Sequence, residues 1–336
     1  MPVNVLVTAA SRRVALVQAF QRALAARTGG HVIVTDINPL SPAVHVADRA
    51  YLVPLSSSPD YLNEIGAICD AEDVRLVVPT IDDELELFAS AKESFACRGV
   101  AVSVSSPATA AICNDKYATC THLRARGVAA AETFLPGALP STPRYPLFVK
   151  PRVGRGGVGA YRARTPRDLA FFLDYVSGAV VQEYLDGPEF TIDVLCDDRG
   201  RVLSVVPRER VVIRAGVIDR GRTSNDKALI DLALACAEAL PFAGAVNIQC
   251  RVVNGRPVIF EINPRFSGGI PLTIAAGADF PGMLLDLAAG ASVKPAIGAF
   301  QPDFWMTSYE ASFFLDDDRV AALRTSSGPE RLGEVA

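Results

Sequence analysis

The stretch from Ala245 to Gly269, AVNIQCRVVNGRPVIFEINPRFSGG, constrains this chain more than any other. Apolar residues alternate on both sides of an Asn-Gly pair. The pattern predicts two strands, Val246 to Val253 and Pro257 to Asn263, folded back as a hairpin. Successive side chains point to opposite faces of a strand, so Glu261 and Asn263 share a face. What stands opposite them depends on the loop. A two-residue turn at Asn254-Gly255 sets Gln249 against Phe260. A three-residue loop, Asn254 to Arg256, sets Gln249 against Glu261 and Asn247 against Asn263. We expect the three-residue loop, which collects one carboxylate and three amides on one face with Arg265 just beyond. Few, hard oxygen donors beside a cation suit magnesium carrying phosphate oxygens. The alternative is an ordinary hairpin with a solvated polar face.

Composition narrows the setting. A chain of 336 residues, half of them hydrophobic, can bury a sizeable core and is expected to divide into two or three lobes. The net charge of -4 offers no basic footprint for nucleic acid. Seven cysteines without a C-x-x-C pair fit reduced, buried thiols and a cytoplasmic location. The start, MPVNVLV, lacks the pattern of a secretory signal. The most apolar helical stretch, Ala228 to Leu240, is interrupted by Asp231 and Glu238 and too short for a bilayer, so no membrane partner is expected. His31, His45 and His122 are dispersed and receive no catalytic role.

Residues 1 to about 105 alternate apolar runs with amphipathic segments. Val3 to Val7, Val32 to Thr35, Leu76 to Pro79 and Val100 to Val104 read as buried strands. Val14, Val17, Phe20 and Leu24 recur at helical spacing, as do Leu62, Ile65 and Cys69. Such alternation predicts a doubly wound α/β domain with a parallel sheet. Its first turn, TAASRR, has no glycine, which argues against close approach of a pyrophosphate and against a ribose on Asp36. Ser11 is a candidate N-cap, and Arg12 and Arg13 are solvated or meet an anion. Asp82, Asp83 and Glu84 stand where a strand runs into a helix; they cap that helix or form an acidic lip for a substrate amine.

Further on, PLFVKPRVGRGGVGAYRA delivers Lys150 from a strand into a loop with Gly154, Gly156, Gly157 and Gly159. Glycines let backbone amides approach phosphate, and the lysine adds a point charge. No G-K-[ST] follows, so this is not a Walker loop. Ala179 to Leu185 reads as a strand. The segment from Pro207 to Thr223 carries Arg208, Arg210, Arg214, Arg220 and Arg222. On a regular strand Arg208, Arg210 and Arg214 share a face, either as a charged edge or as an anion site, and Arg214 is the best candidate. Ser267, Gly268 and Gly269 open a helix whose free amides are expected to hold a substrate carboxylate or oxyanion.

Together, N-x-Q at Asn247 to Gln249, E-x-N-P-R at Glu261 to Arg265 and the glycine pair after them resemble the metal end of ATP-grasp enzymes, most like the large-chain branch of carbamoyl phosphate synthetases. The resemblance spans roughly Val3 to Tyr309. It implies an ATP-grasp fold behind the N-terminal domain. It implies magnesium on Gln249, Glu261 and Asn263, and ATP phosphates on Arg265. Lys116, in an N-D-K segment, and Lys150 become the two basic ATP contacts, with Gly156 and Gly157 in a glycine-rich lid. Glu183, Tyr184 and Leu185 become the adenine hinge, and Glu189 takes the ribose. Arg214, Asn247 and Arg265 are the candidate catalytic residues; Arg208, Ser267, Gly268 and Gly269 are the candidate substrate contacts. Expected boundaries are residues 1–106 for the first domain, 107–185 for a central lobe, 186–315 for a C-terminal lobe and 316–336 for a surface tail. The implied chemistry is ligation of a small acid to an amine, both expected among amino acids, through an acyl phosphate. Phosphorylation of bicarbonate by a solitary synthetase half and a silent ATP-binding regulator are the alternatives. A homodimer is the usual form of symmetric assembly.

Overall fold

In the computed structural model, which describes residues 2–318 except Thr28, Arg155, Gly156 and Ala215, the first hundred residues form a parallel sheet. Its strands are β1 (Asn4–Thr8), β2 (Val32–Asp36), β3 (Arg49–Leu52), β4 (Val74–Pro79) and β5 (Ala101–Val102), in the order β3-β2-β1-β4-β5. Helices α1 (Val14–Ala25), α2 (Tyr61–Ala71) and α3 (Asp82–Cys97) connect them. Alternation along β1 covers both faces. Val5 and Val7 pack with Val17 and Phe20 of α1, while Leu6 packs with Ile65 of α2 and Phe88 of α3. The sequence pattern missed β3, a strand of only four residues, RAYL.

The strand order reverses between β1 and β4, which opens a crevice at their carboxyl ends. The turn beyond β1 enters the left-handed region at Ala9 (φ 45°) and Ser11 (φ 46°) without a glycine. Asp36 holds this strained turn: its Oδ2 accepts from the Ser11 amide at 2.8 Å and its Oδ1 from the Asn38 amide at 3.0 Å. Ser11 therefore does not cap α1; Arg13 stands at the cap position, and its side chain does not cap the helix.

Two helices, α4 (Pro107–Asn114) and α5 (Lys116–Ala125), lead into a small antiparallel sheet. Its strands are β6 (Thr133–Phe134), β7 (Leu147–Pro151), β8 (Tyr161–Ala163) and β9 (Ala179–Glu183), in the order β6-β9-β7-β8, with α6 (Pro166–Tyr175) against them. Asp115 caps α5 by accepting from the Tyr117 and Ala118 amides. This sheet has a core of its own, in which Leu147, Val149, Leu169, Val176 and Val181 cluster. Cys113, Cys120 and Leu123 of α4 and α5 instead join the core of the following lobe, with Leu229 and Ile248.

That lobe is an antiparallel sheet of β10 (Glu189–Cys196), β11 (Val202–Arg214), β12 (Val217–Thr223), β13 (Gly244–Val253), β14 (Arg256–Asn263) and β15 (Trp305–Thr307). Helix α7 (Lys227–Ala239) covers one side; α8 (Ile270–Ala275) and α9 (Phe280–Ala288) cover the other and meet α1. Phe266 bridges Phe20 of α1 and Phe280 of α9, with ring centroids 6.0 and 6.5 Å away, so the first domain and this lobe share a core. No described helix is long and apolar enough to cross a membrane. All seven cysteines are free, and all but Cys97 are buried.

The β13–β14 hairpin reaches the expected register by another route. Gln249 does pair with Glu261 and Asn247 with Asn263. The loop, however, has two residues: Val253 pairs with Arg256, and Asn254 (φ 50°) and Gly255 (φ 76°) are both left-handed. That is the twist-matched turn the Asn-Gly pair favours. The extra residue is taken up by a bulge at Phe260, between the Cys250–Ile259 and Gln249–Glu261 pairs. Bulges also correct the expectation for β11. The ladder shifts between Arg210 and Val212 and again between Val212 and Ile213, so Arg210 and Arg214 do not share a face.

Candidate active site

Two cavities flank the end of the β13–β14 hairpin. The first, of about 240 Å³, opens between the small sheet and the C-terminal lobe. Strand β7 brings Lys150 to it, β9 and its continuation bring Glu183, Tyr184 and Leu185, and β13 and β14 bring Gln249 and Glu261. Lys116, Glu189 and Gly157 also line it. Gly156 lies outside the described residues.

The Lys150 ammonium is buried, donates to the Phe260 carbonyl at 3.2 Å and lies 5.3 Å from the centre of the Phe260 ring. Burial lowers its pKa, and the nearby Glu261 carboxylate opposes that shift. Lys116 donates to the Gly154 carbonyl at 2.5 Å, which ties the first basic residue to the start of the glycine loop. Both lysines thus sit on neutral carbonyls rather than on carboxylates, an arrangement that an incoming anion can use. Glu183 turns its side chain to the Glu132 amide (2.8 Å), leaving backbone groups of the Glu183–Leu185 stretch as the wall of the cavity. Glu189 is engaged by two arginines: Arg210, which the sequence left between a charged edge and an anion site, and Arg251, which it did not single out. Arg210 lies 2.7 Å from its Oε1, and Arg251 pairs with its Oε2. The signal for Arg251 was its position two residues beyond Gln249, on the same face of β13.

On the metal face, Glu261 and Gln249 reach the cavity, while Asn247 and Asn263 lie buried behind them. The Asn263 amide donates to Glu261 Oε1 at 3.3 Å and to Asn247 Oδ1 at 3.4 Å. Among the described residues no group of three or more His, Cys, Asp or Glu could hold a metal by itself. One carboxylate with amide oxygens fits a magnesium ion that takes its remaining ligands from phosphate and water.

The second cavity, about 490 Å³, lies at the strand-order reversal of the first domain. Ser11, Arg12, Arg13, Thr80 and Asp82 line its near wall; Arg214, Asp219, Arg265, Ser267 and Gly268 line its far wall, with Ser308, Tyr309 and Glu310 at the rim. Arg13 donates to the carbonyls of Thr80 (2.7 Å), Phe266 (3.2 Å) and Ser267 (3.4 Å), so it fastens the loop after β14 to the first domain. Arg265 is gripped by Asp82 through two bonds, at 3.0 and 2.8 Å. Arg214 pairs with Asp219 (3.4 Å) and Glu310 (2.9 Å). Its neighbour Ile213 lines the first cavity, so the tip of β11 partitions the two.

Two expected substrate contacts, Arg208 and Gly269, are placed differently. Arg208 lines neither cavity; it is buried on Asp193 (2.7 and 3.1 Å) and donates to Ser267 Oγ at 2.9 Å. Gly269 lies against Arg208, where a Cβ would come within 2.4 Å of Nη1. The helix after them, α8, has only six residues. The acidic residues at the start of α3 neither cap it through side chains nor act as one lip. Asp82 holds Arg265, and Glu84 is buried, accepting from Thr8 Oγ1 at 2.8 Å and from the Tyr61 hydroxyl.

Comparison with known proteins agrees with this geometry. Residues 176–311 match a family described as ATP-grasp in the biosynthetic pathway with Ter operon, and residues 5–103 match the PylC-like N-terminal domain. The arginine-specific large chain of carbamoyl phosphate synthase from Bacillus subtilis is 24% identical over 299 residues, which cover 81% of this chain and 28% of that one. Its counterpart from Geobacillus stearothermophilus is 30% identical over 141 residues, 38% of this chain and 13% of that one. The chain therefore spans under a third of the length of either relative. Among solved structures, L-amino acid ligase from Bacillus licheniformis superposes with a TM-score of 0.67 at 19% identity, covering 89% of this chain and 77% of that one. N5-carboxyaminoimidazole synthetase from Staphylococcus aureus complexed with ADP gives 0.69 at 17% identity, covering 88% and 79%.

Proposed function

The chain belongs to the ATP-grasp superfamily, and from that premise we propose that it is an ATP- and magnesium-dependent ligase joining a small carboxylic acid to an amine. One observation carries the reading. Lys116, Lys150, Glu183, Glu189, Gln249 and Glu261, scattered over more than a hundred residues, line one cavity, and the next cavity is walled by arginines and glycine backbone. ATP occupies the first, with adenine at the Glu183–Leu185 backbone and phosphates toward the lysines. Gln249, Glu261 and Asn263 would hold magnesium, which would supply charge neutralisation for the phosphate oxygens. The acid occupies the second cavity, its carboxylate directed by Arg214 and the Ser267–Gly268 segment, while Arg265, joined through Asn263 to Glu261, takes the terminal phosphate where the two cavities meet.

A carboxylate oxygen attacks the γ-phosphorus, the bond to the ADP oxygen breaks, and an acyl phosphate forms. The amine then attacks the acyl carbon, phosphate leaves, and the amine proton goes to solvent or buffer. Positioning and charge neutralisation suffice for such a transfer. Closure of the glycine loop excludes water from the acyl phosphate. A cavity of about 490 Å³ is far larger than bicarbonate requires, which favours an organic acid over the solitary synthetase reading. An amino acid suits the mixed lining of arginines and carboxylates. We assign residues 1–106, 107–185 and 186–315 to the three lobes along the chain, with α4 and α5 of the second packed into the core of the third, take the free, mostly buried cysteines to fit a cytoplasmic setting, and regard a homodimer as the working assembly.

The test is a screen of amino-acid pairs with ATP and magnesium, following ADP release and product mass. Amide products with stoichiometric ADP are expected. ADP release with bicarbonate and ammonia alone would replace this reading with the synthetase one. Nucleotide binding without turnover on any acid would leave a regulator.

A further inference from the structure

We propose that Asp82, in the first domain, is the positioning residue for Arg265, and that it sets how this arginine meets the terminal phosphate. The inference rests on the nucleotide reading above. It starts from the donors of one guanidinium. Arginine has five N–H groups in a rigid fork. The Arg265 Nε–H goes to Asp82 Oδ1 at 3.0 Å. Nη2 goes to Asp82 Oδ2 at 2.8 Å and to Asn263 Oδ1 at 3.3 Å. Nη1 goes to the Phe266 carbonyl at 3.1 Å. Four of the five are committed, so one Nη1 hydrogen is left for an anion.

The carboxylate that fixes the fork comes from the other side of the domain boundary. Asp82 opens α3, directly after β4, and β4 is a strand at the order reversal. Its own helix has no side-chain cap that would need it. Both partners are largely shielded, with side-chain exposures of 13% for Arg265 and 14% for Asp82. Two parallel bonds define the plane of the guanidinium as well as its place. The grip continues inward: Arg265 touches Asn263, and Asn263 donates to the Glu261 carboxylate. A surface aspartate at a helix start would do none of this.

The sign of the outcome separates positioning from simple charge. Were Asp82 only a negative charge near the phosphates, Asp82→Asn would strengthen ATP binding. As a positioning residue, its loss frees the fork and weakens it. Magnesium-ATP and magnesium-ADP affinities are to be measured by calorimetry for wild type, Asp82→Asn, Arg265→Ala and the double variant, with melting temperatures alongside. We expect Asp82→Asn and Arg265→Ala each to weaken magnesium-ATP by about tenfold, as for loss of one charge-assisted contact. We expect magnesium-ADP to change less than about twofold, and the double variant to match Arg265→Ala. Should Asp82→Asn not fold, Asp82→Glu serves: a longer carboxylate keeps the charge, displaces the fork and weakens magnesium-ATP in the same way. Tighter ATP binding in Asp82→Asn, or additive losses in the double variant, overturns the proposal. Absence of magnesium-ATP binding to wild type would instead sink the nucleotide reading on which it stands.

Discussion

The two cavities are built from different kinds of boundary. The wall of the first that carries Lys150 belongs to a small sheet with a separate core around Val149 and Val181. The second lies between the first domain and the C-terminal lobe, which share a core through Phe20, Phe266 and Phe280 and are cross-tied by Arg13 and Asp82. A wall with its own core can swing without opening the interior, whereas walls that share a core cannot. On the proposed reading, the nucleotide side is then the moving side, and the acid meets a preformed frame.

The comparison is broken hardest at β14, the strand that brings Glu261 to the first cavity. Glu261→Ala removes the one carboxylate that the metal face presents to the nucleotide cavity. ADP release is expected to fall by about 10³-fold, as several kcal/mol of phosphate charge stabilisation are lost, with the melting temperature held within a few degrees. Turnover near wild type at ordinary magnesium would remove Glu261 from the metal site.

A smaller effect is expected at Arg214, and of another kind. It lies in the second cavity with Asp219 and Glu310, away from the lysines. Arg214→Ala should raise the KM for the acid by about ten- to a hundredfold, as for one charged hydrogen bond, and leave ATP affinity within about twofold. A fall in ATP affinity with unchanged acid KM would place Arg214 on the nucleotide instead.

Motion supplies a third distinction. The amides of Gly154, Gly157 and Gly159 should exchange more slowly once magnesium-ATP is bound, as a closing loop does, while those of the Ser267–Gly268 segment should change little. Equal slowing in both would show that the second frame is not preformed.

What was legible in the sequence follows the same divide. The nucleotide cavity draws on local signals: a lysine ahead of glycines, an N-x-Q, an E-x-N-P-R. Each can be read within about ten residues. The second cavity depends on Arg13 reaching Phe266, Asp82 reaching Arg265 and Glu310 reaching Arg214, separations that no local pattern encodes. Parity arguments failed where strands were irregular. The bulge at Phe260 delivered the expected pairing with a shorter turn, and the bulge at Val211 of β11 put Arg210 and Arg214 in different cavities. Arg208, expected as a substrate contact, is spent on Asp193 inside the lobe.

The smallest effect on nucleotide binding is expected two residues from Asp82, on the inward side of α3, where Glu84 tests whether the frame of the second cavity is independent of the chemistry. Glu84 is 1% exposed and accepts from Thr8 and Tyr61. Burial pushes its pKa from the ordinary 4.5 up to about 7, against the lowering effect of those two hydrogen bonds. The folded chain then holds a proton that the unfolded chain has released over that interval. Stability falls as pH rises from the unfolded value to the folded one, and is flat on either side. The full change is about 3 kcal/mol. Glu84→Gln removes the titration, so its stability relative to wild type should improve by about that amount between pH 4.5 and pH 7.5, in urea unfolding followed by circular dichroism. Magnesium-ATP affinity should stay within about twofold over the same range. A stability difference that does not move with pH would mean that Glu84 is ionised in its pocket throughout, held by the Thr8 and Tyr61 hydroxyls.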